Sequence, residues 1–135
     1  MEEPIRILLV DDERPAQRSM EKTLLRAGFD VNTASNVAEG LELFQQALHS
    51  PHPFDVAVLD LNMPNFEGIE SPTAGLDLLE KLMQAQPTLP VIVLTAFDEV
   101  AKTKAAINAG ARDYFVKGRE EGLVELVNKT LAGGK

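Results

Sequence analysis

Four short, uninterrupted apolar runs, each closed by a polar residue, constrain this chain more than any other feature. Ile7-Leu8-Leu9-Val10 leads into Asp11 and Asp12, Val56-Ala57-Val58-Leu59 into Asp60, Val91-Ile92-Val93-Leu94 into Thr95, and Tyr114-Phe115-Val116 into Lys117. Runs this short and this continuous suit strands covered on both faces, the pattern of a parallel sheet sandwiched between helices. If the strands run parallel, all five polar side chains meet at one edge of the sheet. Three acids, a hydroxyl and an amine in one crevice can hold a divalent cation and a phosphoryl group.

Between these runs the periodicity turns helical. Ile5–Val10 reads as a first strand, and a helix from Pro15 to about Ala27 follows, closed by Gly28. Asp30–Ala34 reads as a weaker edge strand, since only Val31 is strongly apolar. Asn36 is placed to cap a helix that carries Val37, Leu41, Phe44 and Leu48 on one face. Ser50-Pro51-His52-Pro53 must be a loop, because its two prolines forbid helix. After the third strand, Val56–Asp60, comes a helix over Thr73–Gln86 with Leu76, Leu79, Leu82 and Met83 predicted on its buried stripe. Pro90 leads into the fourth strand, Val91–Thr95. Asp98 is placed to cap a helix ending at Asn108-Ala109-Gly110. Asp113–Val116 is the fifth strand, and Leu123, Leu126, Val127 and Leu131 mark a last helix. Five strand–helix units give an α/β fold, an open doubly wound parallel sheet with helices on both faces. Ligands of such sheets bind beyond the carboxyl ends of the strands, where the polar residues cluster.

At 135 residues the chain is expected to form one domain, residues 1–135 with a core of about 5–131. It has no cysteine, which excludes thiol redox chemistry and Cys-based zinc sites. A net charge of −8 argues against a nucleic-acid surface. The opening Met1-Glu2-Glu3-Pro4 lacks the basic region and apolar stretch of a signal peptide, and no apolar run approaches the roughly 20 residues that cross a bilayer. The expectation is a soluble cytoplasmic protein with no membrane contact.

With these residues placed, the chain resembles a response regulator receiver domain of two-component signalling, similar to the chemotaxis regulator. The motifs are Leu8-Leu9-Val10-Asp11-Asp12, Val58-Leu59-Asp60-Leu61-Asn62-Met63-Pro64, Leu94-Thr95-Ala96 and Gly110-Ala111-Arg112-Asp113-Tyr114-Phe115-Val116-Lys117, spread from about Ile5 to Leu131. The resemblance implies a flavodoxin-like (βα)5 fold with strand order 2-1-3-4-5. It implies that Asp60 is the nucleophile and phosphorylation site, taking a phosphoryl group from a histidine kinase or histidine phosphotransfer protein. Asp12, Asp60 and the backbone carbonyl of Asn62 would ligate Mg²⁺, with Asp11 acting through a water and its charge. Lys117 would pair with Asp60 or the phosphoryl group, and the Thr95 hydroxyl and Ala96 N–H would bind phosphoryl oxygens. Thr95 and Tyr114 would form the switch, altering the surface over roughly Asp98–Leu131 for a downstream protein or a missing output domain. Homodimerisation through the last helices is compatible with this reading but has no specific sequence signal.

Two departures stand out. Asn65–Ala74 looks extended by roughly 7 residues, a lid over Asp60 or a tolerated surface insertion. Gly118 stands where receivers usually have a proline joined by a cis bond. A cis bond before a non-proline residue costs about 3 kcal/mol, so a trans link is expected. Blander roles exist for several residues: Asp11 and Asp12 as helix-start charges, Thr95 as an ordinary strand residue, Tyr114 as a half-exposed strand aromatic. His49 and His52 flank the proline loop with no acid beside them in sequence, and are read as solvent-exposed. Two other functions are weighed against the switch. An aspartyl-phosphate phosphatase of the haloacid-dehalogenase type needs a second Asp two residues after its nucleophile, where this chain has Asn62. A receiver-like module independent of phosphorylation would tend to lose an acid, the Thr or the Lys, and all are kept.

Overall fold

The computed structural model describes residues 4–64, 70–71, 73–96, 99–118 and 122–133. Five strands form one sheet: β1 (Arg6–Val10), β2 (Asp30–Ala34), β3 (Val56–Asp60), β4 (Val91–Thr95) and β5 (Asp113–Val116). Every pairing is parallel and the order is β2-β1-β3-β4-β5, as the resemblance implies. Five helices connect and cover it: α1 (Arg14–Arg26), α2 (Val37–Leu48), α3 (Ala74–Ala85), α4 (Val100–Asn108) and α5 (Leu123–Ala132).

Alternation along the strands splits the core into two layers. Ile7, Leu9, Val56, Val58, Ile92 and Leu94 point to the α1/α5 side and pack on Met20, Leu24, Leu123 and Val127. Leu8, Val10, Ala57, Leu59, Val91 and Val93 point to the other side, against residues of α2 and α3 that include Phe44, Leu78, Leu79 and Leu82. Burial on both faces explains why β3 and β4 read as unbroken apolar runs: all five residues of each are buried. β2, with one fully buried residue, lies at the edge.

A side-chain cap sets the start of α2. The Asn36 side chain accepts the Glu39 N–H at 2.8 Å while Glu39 reaches back to the Ser35 N–H at 2.6 Å, a reciprocal cap on α2 of the kind worth about 1 kcal/mol. The expected stripe of α3 is rotated. Ala74, Gly75, Leu78, Leu79 and Leu82 are buried, and Leu76 and Met83 are only partly so. Gly75 causes the rotation: a Cβ there would lie 2.5 Å from Leu61 Cα and 2.6 Å from the Asp60 carbonyl oxygen. The first turn of α3 therefore rests directly on the backbone that follows β3, which only glycine permits.

Part of the extended segment is ordered as a two-residue antiparallel ribbon, Met63–Pro64 with Glu70–Ser71. The remainder of Asn65–Ala74 that was read as lid or insertion, residues 65–69 and 72, lies outside the described residues. The expected cap Asp98 does too. Glu99 occupies the position before α4, and its side chain makes no cap hydrogen bond.

Candidate functional site at the carboxyl edge of the sheet

Parallel strands deliver the polar residues to one edge, as the runs require. Asp11 follows β1, Asp60 ends β3 and Thr95 ends β4, and all three are buried, at 0%, 3% and 2% exposure. Asp12 is half-buried beside them. Asp11, Asp12 and Asp60 each offer a carboxylate oxygen, and the three oxygens lie within 4.8 Å of one another. Lys117, just after β5, reaches across the sheet edge. Its Nζ lies 3.1 Å from Asp60 Oδ2 and 3.1 Å from both oxygens of Asp11, and it also pairs with Glu13.

Each acid is held by more than the lysine. The Asn62 backbone N–H donates to Asp60 Oδ1 at 3.1 Å, and the Glu13 N–H donates to Asp11 Oδ1 at 2.9 Å. That second bond is a local turn just before α1, and Asp11 caps no helix N–H, the role weighed for it as a helix-start charge. Gln17 is buried on α1 and donates to the carbonyls of Asp11 and Ala34, both at 2.9 Å, which pins the ends of β1 and β2 together.

Electrostatics leave the cluster short of positive charge. Burial pushes the Asp60 carboxyl up to about 7; the charge of Asp11 adds to this, while the Asn62 N–H and Lys117 oppose it. Burial alone would lower Lys117, but the hydrogen bond to Glu13 and the charges of Asp60 and Asp11 prevail and raise it above the ordinary lysine range. Asp11 Oδ2 is buried and accepts no hydrogen bond, leaving only its ion pair with Lys117 to offset burial. Hard oxygen donors with one such underused atom fit a small divalent cation.

A second polar group adjoins the first, and sequence reasoning did not find it. Both oxygens of Glu99 accept from the Asn62 side-chain amide, at 2.8 and 2.9 Å, and Glu99 Oε1 also accepts the Ala96 N–H at 3.1 Å. Lys102 lies 3.1 Å from Glu99 Oε2 and donates to Asn62 Oδ1. Burial opposes ionisation of Glu99, yet the bonds from Asn62 and Ala96 and the Lys102 charge hold its carboxyl below the usual range. The Ala96 N–H expected to serve a phosphoryl oxygen is thus engaged by Glu99. Glu13, Gln17, Glu99 and Lys102 gave no motif; only the acid–base spacing of Glu99 and Lys102 hinted at a pair.

Tyr114 is 49% exposed on β5. Together with Thr95, Val100, Thr103, Ile107 and Val116 it lines a groove of about 710 Å³ between α4 and β5. Lys117 and Gly118 are joined by a trans bond, as expected, and Gly118 has φ +102°. A proline cannot reach that φ, which accounts for the glycine. His52 is not free of acids: its Nε2 lies 3.9 Å from Oδ2 of Asp55, three residues on.

The chain matches the model of the response regulator receiver domain over residues 7–128. It is 37% identical over 114 residues to the response regulator MprA of Mycolicibacterium vanbaalenii, covering 84% of this chain and 44% of that protein. With the photosynthetic apparatus regulatory protein RegA of Cereibacter sphaeroides the identity is 33% over 129 residues, 96% of this chain and 62% of the relative. The chain therefore spans less than two thirds of either protein. Among solved structures, a CheY-like receiver domain protein from Methanospirillum hungatei superposes with a TM-score of 0.82 at 27% identity, covering 98% of this chain and 97% of that one. A receiver domain protein from Clostridium thermocellum gives 0.80 at 28%, with 94% of each chain covered.

Proposed function

The chain belongs to the response regulator receiver domain family of two-component signalling, and from that premise we propose that it is a phosphorylation-controlled switch whose acceptor is Asp60. Receiver domains are signalling switches and not classical enzymes. The observation that carries the assignment to Asp60 is its setting. It ends β3, the middle strand of the five, inside the three-acid cluster, with Lys117 on Oδ2 and the Asn62 N–H on Oδ1 at 3.1 Å each.

An ionised Asp60 attacks the phosphorus of a phosphohistidine. The new O–P bond forms as the P–N bond breaks, and the imidazole nitrogen leaves with its electron pair and is protonated. Asn62 and Lys117 hold the carboxylate in place, and Lys117 moves its charge onto the phosphoryl oxygens as they arrive. Thr95 and the Ala96 N–H take further oxygens. Asp12, Asp60 and the Asn62 carbonyl would hold Mg²⁺, with Asp11 beside them, and the bound ion would supply the positive charge that these acids and the phosphoryl oxygens lack. Slow hydrolysis of the same acyl phosphate would reset the switch.

Output runs through the groove between α4 and β5. Thr95 and Tyr114 line it together, so a Thr95 drawn toward the phosphoryl group leaves room for Tyr114 to turn inward. The donor is a histidine kinase or histidine phosphotransfer protein, and the receiver of the signal is another protein or an output domain. Among the described residues no helix is long and apolar enough to cross a membrane.

Intact-mass spectrometry after incubation with Mg²⁺ and acetyl phosphate tests the proposal. One added phosphoryl group that requires both Mg²⁺ and Asp60 is the expected result. A phosphoryl adduct retained in Asp60→Ala would refute the assignment.

A further inference from the structure

Beside Asp60, an acid of this chain already sits where an incoming phosphoryl oxygen would bind. Glu99 Oε1 accepts the Ala96 N–H at 3.1 Å, and the same carboxylate takes the Asn62 side-chain amide at 2.8 and 2.9 Å. Asn62 in turn holds Asp60 through its own backbone N–H. Lys102 closes the ring by pairing with Glu99 and bonding Asn62 Oδ1. We propose that Glu99 is an internal competitor of the phosphoryl group: its carboxylate occupies the Ala96 N–H in the resting protein and must leave before a phosphoryl oxygen can use that donor. This rests on the reading of Asp60 as the acceptor.

The argument is one of donor capacity. A backbone amide has a single hydrogen, so it serves one strong acceptor at a time. A carboxylate oxygen and a phosphoryl oxygen are both anionic acceptors of similar demand. The contact lies at the edge of the pocket, where Glu99 and Lys102 keep 17% and 30% exposure, so an incoming anion and water can reach it and exchange with the carboxylate. Glu99 is also the residue immediately before α4, and that helix buries only Ala106. Releasing the carboxylate frees the first turn of α4 to follow, which would link occupation of the pocket to movement of the groove wall. Glu99 acts through Ala96 and Asn62; it is a positioning residue and touches no reacting atom in the resting state.

The test uses the full chain and beryllofluoride with Mg²⁺ as the phosphoryl analogue, read by the fluorescence of Tyr114, the chain's only tyrosine in the absence of tryptophan. Glu99→Ala is expected to bind beryllofluoride about tenfold more tightly than wild type, the scale of one lost competing hydrogen bond. Glu99→Gln, which keeps the shape and should preserve the fold, is expected to fall between them. Equal or weaker binding by both variants overturns the proposal. Amide exchange of Ala96, measured with no analogue present, reads the resting contact separately. Protection in wild type that is lost in Glu99→Ala supports it, and an unprotected wild-type Ala96 overturns it. If wild type and Asp60→Asn bind beryllofluoride alike, the acceptor reading itself fails and the competitor role goes with it; tight binding by wild type alone leaves the comparison of Glu99 variants to decide.

Discussion

α3 and α4 succeed one another along the same face of the sheet, yet they are attached in opposite ways. α3 buries Ala74, Gly75, Leu78, Leu79 and Leu82, and its Gly75 touches the backbone that follows Asp60. α4 buries Ala106 alone and leaves Val100 62% and Ile107 40% exposed. One helix is locked beside Asp60 by close packing on the backbone. The other is tied to the same pocket by the exchangeable polar contacts of Glu99 and Lys102. The difference teaches where a switch can be built. Strand ends and α3 keep the chemistry in register, while the loosely packed helix is free to change with the charge at the site.

Substitutions can break this contrast. The largest expected effect is Gly75→Ala: its Cβ would stand 2.5 Å from backbone, which cannot move aside, and a loss of about 4 kcal/mol is expected in urea unfolding. Leu79→Ala should cost about 3 kcal/mol by the same measurement, because it empties a fully buried position of α3.

Asp60→Asn probes the site that both helices adjoin, and its sign is opposite. The carboxyl is raised from 3.8 to about 7 in the folded protein. Below about pH 4 it is protonated folded or unfolded and carries no penalty. Between about 4 and 7 the unfolded chain ionises first and stability falls. Above 7 the penalty is complete. Metal-free Asp60→Asn should therefore be more stable than wild type by on the order of 2 kcal/mol at pH 8 and equal to it near pH 4, by thermal unfolding at both values. A gain that does not depend on pH would contradict the burial of an ionisable Asp60. The smallest effect belongs to α4. Ile107→Ala should change stability by less than about 0.5 kcal/mol, and a cost matching Leu79→Ala would erase the contrast.

The parts of the molecule legible in the sequence are those fixed by local pattern. Val56–Asp60 and Val91–Thr95 were readable to the residue because strands covered on both faces leave no polar position inside them. Asp11, Asp12, Asp60, Thr95 and Lys117 followed at once, since parallel strands must bring their carboxyl ends together. The rotation of α3 was not legible: Leu76 and Leu78 are equally apolar, and only the contact of Gly75 with Leu61 selects between them. Glu13 and Lys117 are 104 residues apart, and Glu99 and Asn62 are 37 apart. A charged residue in a loop looks the same in sequence whether it is solvated or spans such a distance. The engagement of the Ala96 N–H was invisible for a further reason, because backbone donors carry no residue signature at all.

Hydrogen–deuterium exchange with and without Mg²⁺ and beryllofluoride tests the division between the two helices most directly. The amides of α4 should change their protection several-fold when the analogue binds, while those of α3 keep theirs. Equal changes in both helices, or a formed complex with α4 unaltered, would contradict the assignment of rigidity to α3 and of switching to α4.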